Sequence, residues 1–296
     1  MSKSGSQHQK SGKASFHDIY NMEDPRPYFA ELGELDYETP DHGRRVFSEL
    51  IRNRDRTGKV ASDPTKVLDV CCSYGINGAL LKHDLTLNDL YDRYRSEEMA
   101  DLTSEELVVS DAEFYSGRRR EGAPEVVGVD IAENAVLYGV ETGMLDAGFA
   151  ENLEAEDLTP ELRGSLCGAE LITVTGGIGY VSEKTFDRIL GGLEAESEEK
   201  PWVACFALRW VSYDRYAELL ESYGLVTEKL AGHTFPQRSF ADEKEREYVL
   251  GELAKMGLDT DGKEAEGVYH ADFYLSRPLE DTETPVGELL KKVTSG

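Results

Sequence analysis

The chain has 296 residues, 40% of them hydrophobic, which is enough for one large domain with a core and excludes a wholly disordered chain. Its 58 acids against 32 bases give a formal net charge of −26, which opposes a nucleic-acid partner because phosphate contacts need a basic face. No apolar run reaches the ~18–20 residues that span a bilayer, so no membrane partner is expected.

The opening MSKSGSQHQKSGKAS is polar, without the apolar stretch of a secretory signal, and 1–15 reads as a disordered tail. Residues 16–58 are expected to be helical and aromatic, with Phe16, Tyr20, Tyr28, Phe29, Tyr37 and Phe47 set among Arg26, Arg44 and Arg45. Pro25, Pro27 and Pro40 interrupt any long helix there, and Gly58 to Pro64 forms a break. A main domain is expected over 59–280. It opens with a strand at 66–71 and a helix at 75–82. The charged stretch 84–122 follows as a helical insertion. In it Leu87, Leu90, Tyr91 and Tyr94 make one helix face, and Gly122 and Pro124 end it.

Next come a strand at 125–131, a helix at 133–146 and a short strand at 149–155. The strand 171–175 is ended by Gly176-Gly177. A helix at 182–196 has Ser182 as its N-cap. A strand at 201–209, a helix at 213–223 stopped by Gly224, a strand at 225–230, a helix at 241–256 and a strand at 268–275 complete the domain. Residues 281–296 read as a C-terminal tail. This alternation predicts an α/β fold with a mainly parallel sheet covered by helices on both faces, the last two strands supplying an antiparallel edge.

Two runs carry the functional signal. Lys66 to Val70 leads through Asp69 into the turn Cys71-Cys72-Ser73-Tyr74-Gly75, and Val126 to Ile131 ends on Asp130. A strand followed by a tight turn brings backbone N–H groups to a ligand, and an acid at the end of the next strand suits a ribose diol.

The stretches VLDVCCSYG (67–75), VVGVDIAENAV (126–136), NLEAEDL (152–158) and LITVTGGIGYV (171–181) resemble, in their order, the motifs of class I S-adenosylmethionine-dependent methyltransferases. The resemblance covers about 60–280 and implies a seven-stranded Rossmann-like sheet with S-adenosyl-L-methionine as cofactor and S-adenosyl-L-homocysteine as product. It implies that Asp69, Cys71, Ser73 and Gly75 form the cofactor turn, and that Asp130 takes the ribose with Ile131 against the adenine. Glu154 would face the adenine amino group, with Glu156 or Asp157 as alternatives, and Ala155 would offer its N–H. Thr175 and Gly176 would lie near the methyl group. The family's first two turn glycines are replaced here by Cys71 and Ser73, and 84–122 stands where the family has a short link. A nicotinamide-dinucleotide domain is the competitor, but its G-x-G-x-x-G keeps only Gly75 and Gly78 here, and an acid ending the first strand suits it less.

Other patterns read as structure. The six histidines show no metal spacing, so no metal is expected; His270 and Asp272 read as strand alternation. Cys71-Cys72 read as packing side chains. Arg118-Arg119-Arg120 read as a solvated loop, with an anion contact as the alternative. The loop Thr175-Gly176-Gly177-Ile178 lacks the N/D-P-P-Y/F pattern of members that methylate nucleic-acid amino groups. Four cysteines without a C-x-x-C pair fit a reduced, cytoplasmic protein.

The expected function is methyl transfer to a small polar metabolite. Arg209, ending an apolar strand, points to an anionic or zwitterionic acceptor, with Arg26 or Arg44 as a second anion contact. Tyr180, Tyr20 and Tyr28 are further candidates for substrate positioning, with Tyr37 beside them in an N-terminal lid. The alternatives are a protein-modifying methyltransferase and a non-catalytic binding protein of the same fold. The acceptor atom and the oligomeric state are left open.

Overall fold

The computed structural model describes residues 19–54, 64–195 and 199–295. The expected tail 1–15, Phe16 and most of the break at 58–64 lie outside them. Eight strands form one sheet: β1 (Lys66–Val70), β2 (Glu125–Asp130), β3 (Ala147–Ala150), β4 (Ala169–Thr175), β5 (Trp202–Leu208), β6 (Leu225–Lys229), β7 (Phe235–Ser239) and β8 (Val268–Pro278). Their order is β3-β2-β1-β4-β5-β8-β6, with β7 also paired to β8. The first five pair in parallel, and β8 runs antiparallel to β5, β6 and β7.

The expected seven strands are thus eight. β8 is not an edge but lies inside the sheet. One flank pairs with β5 along 271–276. The other is divided, with Tyr274–Pro278 taken by β6 and Val268–Ala271 by β7. Pro236 sits within β7, where its missing N–H is tolerated because this short strand lies outside β8.

The helices are α1 (Arg26–Gly33), α2 (Thr39–Arg54), α3 (Ile76–Lys82), α4 (Leu87–Tyr94), α5 (Glu97–Ala100), α6 (Ser104–Ser116), α7 (Glu133–Glu141), α8 (Pro160–Leu166), α9 (Glu183–Glu194), α10 (Asp214–Ser222), α11 (Glu243–Lys255), α12 (Val286–Leu289) and α13 (Lys291–Thr294). Side chains alternate across each strand, so each run serves two cores. Leu68, Val70, Ile172 and Val174 face α8, α9 and α10. Val67, Val126, Leu171 and Phe206 face Val46, Phe47 and Leu50 of α2. Val286 and Leu290 join this second core, so most of the expected C-terminal tail is folded against it. None of the helices is long and apolar enough to cross a membrane, among the described residues.

The insertion is a closed unit. His83 and Arg119 bridge at its neck, where Asp84 N–H donates to Arg118 O at 2.8 Å and Arg120 N–H to Lys82 O at 2.9 Å. Thr86 with Asp89, and Thr103 with Glu106, form reciprocal capping boxes that start α4 and α6. Leu87, Leu90 and Tyr94 are buried as the spacing predicts, packed with Tyr28 and Phe29 of the N-terminal segment. Asp111 of α6 is fully buried, accepts from Tyr94 and Tyr138 and pairs with Arg93, so α4, α6 and α7 share one polar knot. The three consecutive arginines are likewise engaged: Arg118 over Phe114, Arg119 with Asp146, and Arg120 on the carbonyls of Leu80 and Leu81.

Candidate functional site

The site lies at the carboxyl ends of β1, β2 and β4, the edge where open α/β sheets bind ligands. The turn after β1 is its most constrained part. Apart from Asp36, only Cys71 (φ +59°) and Ser73 (φ +49°) among the described non-glycine residues have positive φ, and Gly75 follows at φ +80°. A side chain in this region is strained by roughly 1–2 kcal/mol and persists only where the surroundings enforce it. The backbone therefore adopts left-handed conformations at three alternate positions, although only the last is a glycine.

Neighbouring glycines make room for the two thiols. A side-chain carbon on Gly177 would stand 2.6 Å from Cys71 Sγ, and one on Gly128 2.7 Å from Cys72 Sγ. Burial holds both thiols well above their ordinary range, so they are neutral packing groups.

Asp130 fixes this turn. Its Oδ2 accepts from Ser73 N–H at 2.9 Å and its Oδ1 from Ala132 N–H at 3.0 Å. Each oxygen keeps a lone pair for a further donor. Ile131 beside it is 61% exposed, an apolar surface with no core to join. Asp69 is buried beneath the turn. Its Oδ1 accepts from Thr173 Oγ1 at 2.8 Å, its Oδ2 has no partner, and burial pushes its carboxyl up to about 7. Asn77 of α3 donates to Thr175 Oγ1 at 2.6 Å, while its own Oδ1 is unmatched, as is Ser73 Oγ. Three buried oxygens without donors around one turn, all under 9% exposed by residue, is an arrangement that a donor-rich ligand would satisfy.

The N-terminal tyrosines stand over this shelf. Tyr28 is buried and meets Tyr20, Tyr37 and Tyr74 edge-on, at centroid distances of 5.8, 6.4 and 6.1 Å. It therefore positions its neighbours and is covered itself. The Tyr37 hydroxyl reaches Thr175 O at 3.4 Å. Burial raises Tyr20, and raises Tyr37 to about 12, so both keep their protons at neutral pH. Tyr180, after β4, is half exposed. Thr175 and Gly176 lie at the end of β4.

Three expectations are corrected. The Glu154 carboxylate is engaged within the protein: it accepts from Ser182 N–H at 2.8 Å, Ser182 Oγ at 2.7 Å and Thr185 Oγ1 at 2.6 Å, closing the first turn of α9. Ala155 N–H is turned back onto Asn152 O at 3.0 Å, and Asp157 pairs with Arg188. Arg209 does not reach outward: its guanidinium binds the buried Glu264 carboxylate and Asp259 O. Arg26 is held by Asp24, Met99 O and Leu102 O, and Arg44 by Asp41, so neither supplies an anion contact.

Asn77, and Gln237 of β7, whose Nε2 would stand 3.7 Å from a side-chain carbon placed on Gly176, were not anticipated. Asn77 was legible in principle, two residues past Gly75 on the first turn of the following helix. Gln237 had no signal, because it depends on the pairing of β7 with β8.

No family model and no curated protein matches the sequence. Solved structures with a similar course of chain include a TehB-like SAM-dependent methyltransferase from Corynebacterium glutamicum, at 12% identity and TM-score 0.35 over 78% of this chain and 96% of that one. A precorrin-6y C5,15-methyltransferase from Geobacter metallireducens matches at 8% and 0.36 over 78% and 87%. A magnesium protoporphyrin IX methyltransferase from Synechocystis matches at 11% and 0.35 over 80% of both chains. Likenesses at this level assign no activity, and function has to be read from the residues around Asp69 and Asp130.

Proposed function

We propose that the protein is an S-adenosylmethionine-dependent methyltransferase acting on a small molecule. The observation that carries this reading is the turn after β1, left-handed at Cys71, Ser73 and Gly75 and tied by Ser73 N–H to the Asp130 carboxylate. Strain held at Cys71 and Ser73, with Gly75 completing the turn, brings the backbone close to a ligand lying across β1 and β2. The residues present fit the cofactor. Asp130 would accept from both ribose hydroxyls, Ile131 would lie on the adenine, and the unmatched oxygens of Asp69 and Asn77 would receive the ammonium of the methionine part. When bound, the cofactor supplies a methyl group on a positive sulfur with a neutral thioether as leaving group, so this chain's task is to align an attack rather than to activate a leaving group.

A small acceptor is supported by the cover over β4. The segment between α1 and α2 is joined to β7, with Glu38 N–H on Gln237 O at 2.9 Å and Ser239 N–H on Leu35 O at 2.7 Å, and Tyr37 stands beneath. The net charge of −26 supports a partner other than nucleic acid, and free cysteines suit a reducing compartment. An anionic acceptor loses its support with Arg209 paired to Glu264.

The test is calorimetric titration of S-adenosylmethionine and S-adenosylhomocysteine into the protein and its Asp130→Ala variant. Two charge-assisted bonds at roughly 1.5–3 kcal/mol each predict a loss of affinity of at least about 100-fold. Absence of binding by the unmodified protein, or equal affinity in the variant, refutes the reading.

A further inference from the structure

β7 brings the Gln237 side chain to Gly176. Gln237 is 5% exposed, and its amide atoms are not among those sealed from solvent without a partner. A side-chain carbon placed on Gly176 (φ +112°) would stand 3.7 Å from Gln237 Nε2 and 3.6 Å from the Tyr37 hydroxyl. Both groups therefore border the position over this glycine, at the end of β4. The backbone bonds of Leu35 and Glu38 to β7 fix the two relative to each other. An amide placed beside a glycine and a phenol in this way can complete its hydrogen bonds on a ligand.

Resting on the methyltransferase reading, we infer that Gln237 and Tyr37 hold the acceptor atom over Gly176, and that this atom is the uncharged nitrogen of a small amine. The amide and the phenol each donate and accept, so together they orient an N–H group and its lone pair without a charge. Nearby cations are engaged, Arg209 by Glu264 and Arg238 by Glu245 in two bonds of 2.7 and 3.0 Å, which disfavours a carboxylate acceptor. An alcohol would need a base, and Tyr37, held protonated by burial, is a poor one. A neutral amine brings its own lone pair. Its nitrogen forms the new N–C bond as the C–S bond breaks, that bond's electron pair stays on the departing sulfur, and the extra N–H proton passes to solvent.

The experiment uses the full chain, methyl-labelled S-adenosylmethionine and a library of small amines, alcohols and carboxylates. Amines should be methylated, with a rate that rises with pH through the amine's own pKa. For the best amine, Gln237→Leu should lower kcat/KM by about 10–100-fold. The variant should bind that amine at least 5-fold more weakly when loaded with S-adenosylhomocysteine, read by calorimetry, and keep its affinity for S-adenosylmethionine within 2-fold. Gln237→Asn should recover part of the loss. Labelling only of alcohols or carboxylates, no labelling at all by a protein that binds the cofactor, or wild-type behaviour of Gln237→Leu overturns the inference. So does loss of cofactor affinity in that variant, since Gln237 would then serve the cofactor or the fold. Failure of the unmodified protein to bind the cofactor would instead remove the reading beneath.

Discussion

The two halves of the site are built by different means. On the β1–β2 side the candidate shelf is backbone: a turn in left-handed conformations, fixed by one carboxylate, with Gly128 and Gly177 leaving room for the thiols of Cys72 and Cys71. On the β4–β8 side the wall is made of side chains from distant segments, joined by bonds between α1–α2 and β7 and by buried ion pairs under α11. The first half rests on backbone conformation and on the space left around it. The second depends on which side chains a particular pairing of strands brings together.

Arg209→Leu separates the halves most sharply. It leaves Glu264, 1% exposed, as a buried carboxylate without its cation, and should cost about 3–5 kcal/mol. Glu264→Leu in the same chain should recover most of that, and both chains should bind S-adenosylmethionine as the parent does. Chemical denaturation and calorimetry together check this; a fall in cofactor affinity in the stabilised double variant would mean that Arg209 belongs to the site after all.

Gly177→Ala tests the backbone half with a smaller effect. The added methyl would stand 2.6 Å from Cys71 Sγ and 2.8 Å from its Cβ, an overpacking of about 1–3 kcal/mol. Cys71→Gly should rescue it in part, since Val174 Cγ1 at 2.9 Å remains, giving a favourable coupling in a double-mutant cycle. Strict additivity would show that the thiol and the glycine are independent.

The smallest effect is read through pH. Burial pushes His42, His83 and His270 down to about 4, so on acidification from pH 6.5 to 4 the unfolded chain takes up protons that the folded chain refuses, and stability falls. Asp69, pushed up to about 7, acts the other way. The folded chain keeps its proton where the unfolded one has released it, so this contribution is complete below about pH 4 and is lost as pH rises through 7. Asp69→Asn removes only the second trend. Its melting temperature should gain on the parent between pH 5 and 8, by about 2–4 °C per kcal/mol. Parallel curves for the two proteins would place the Asp69 carboxyl in its ordinary range.

The same division explains what could be read from the chain. β1 and β2 are buried on both faces, so they appear as β-branched runs, and their terminal acids stand out against apolar neighbours. The conformations of Cys71 and Ser73 do not appear, because φ is set by Asp130 and by glycines far along the chain. In NLEAEDL several acids compete, and only the position of α9 decides that Glu154 closes its first turn. Pro236 hides β7, and with it Gln237. Arg209 looked available because its partner, Glu264, lies in a separate short helical turn that no local pattern connects to it.

The clasp between Leu35–Glu38 and Gln237–Ser239 also sets an order in time. Its two sides are roughly 200 residues apart, which at ~5–20 residues per second separates their departure from the ribosome by on the order of 10–40 s. The turn, Asp130 and the insertion are complete well before β7 exists, and β7 cannot pair until β8 has followed it. During synthesis the nascent chain therefore carries the elements of the candidate shelf while the strand that walls the proposed acceptor side is still to be made.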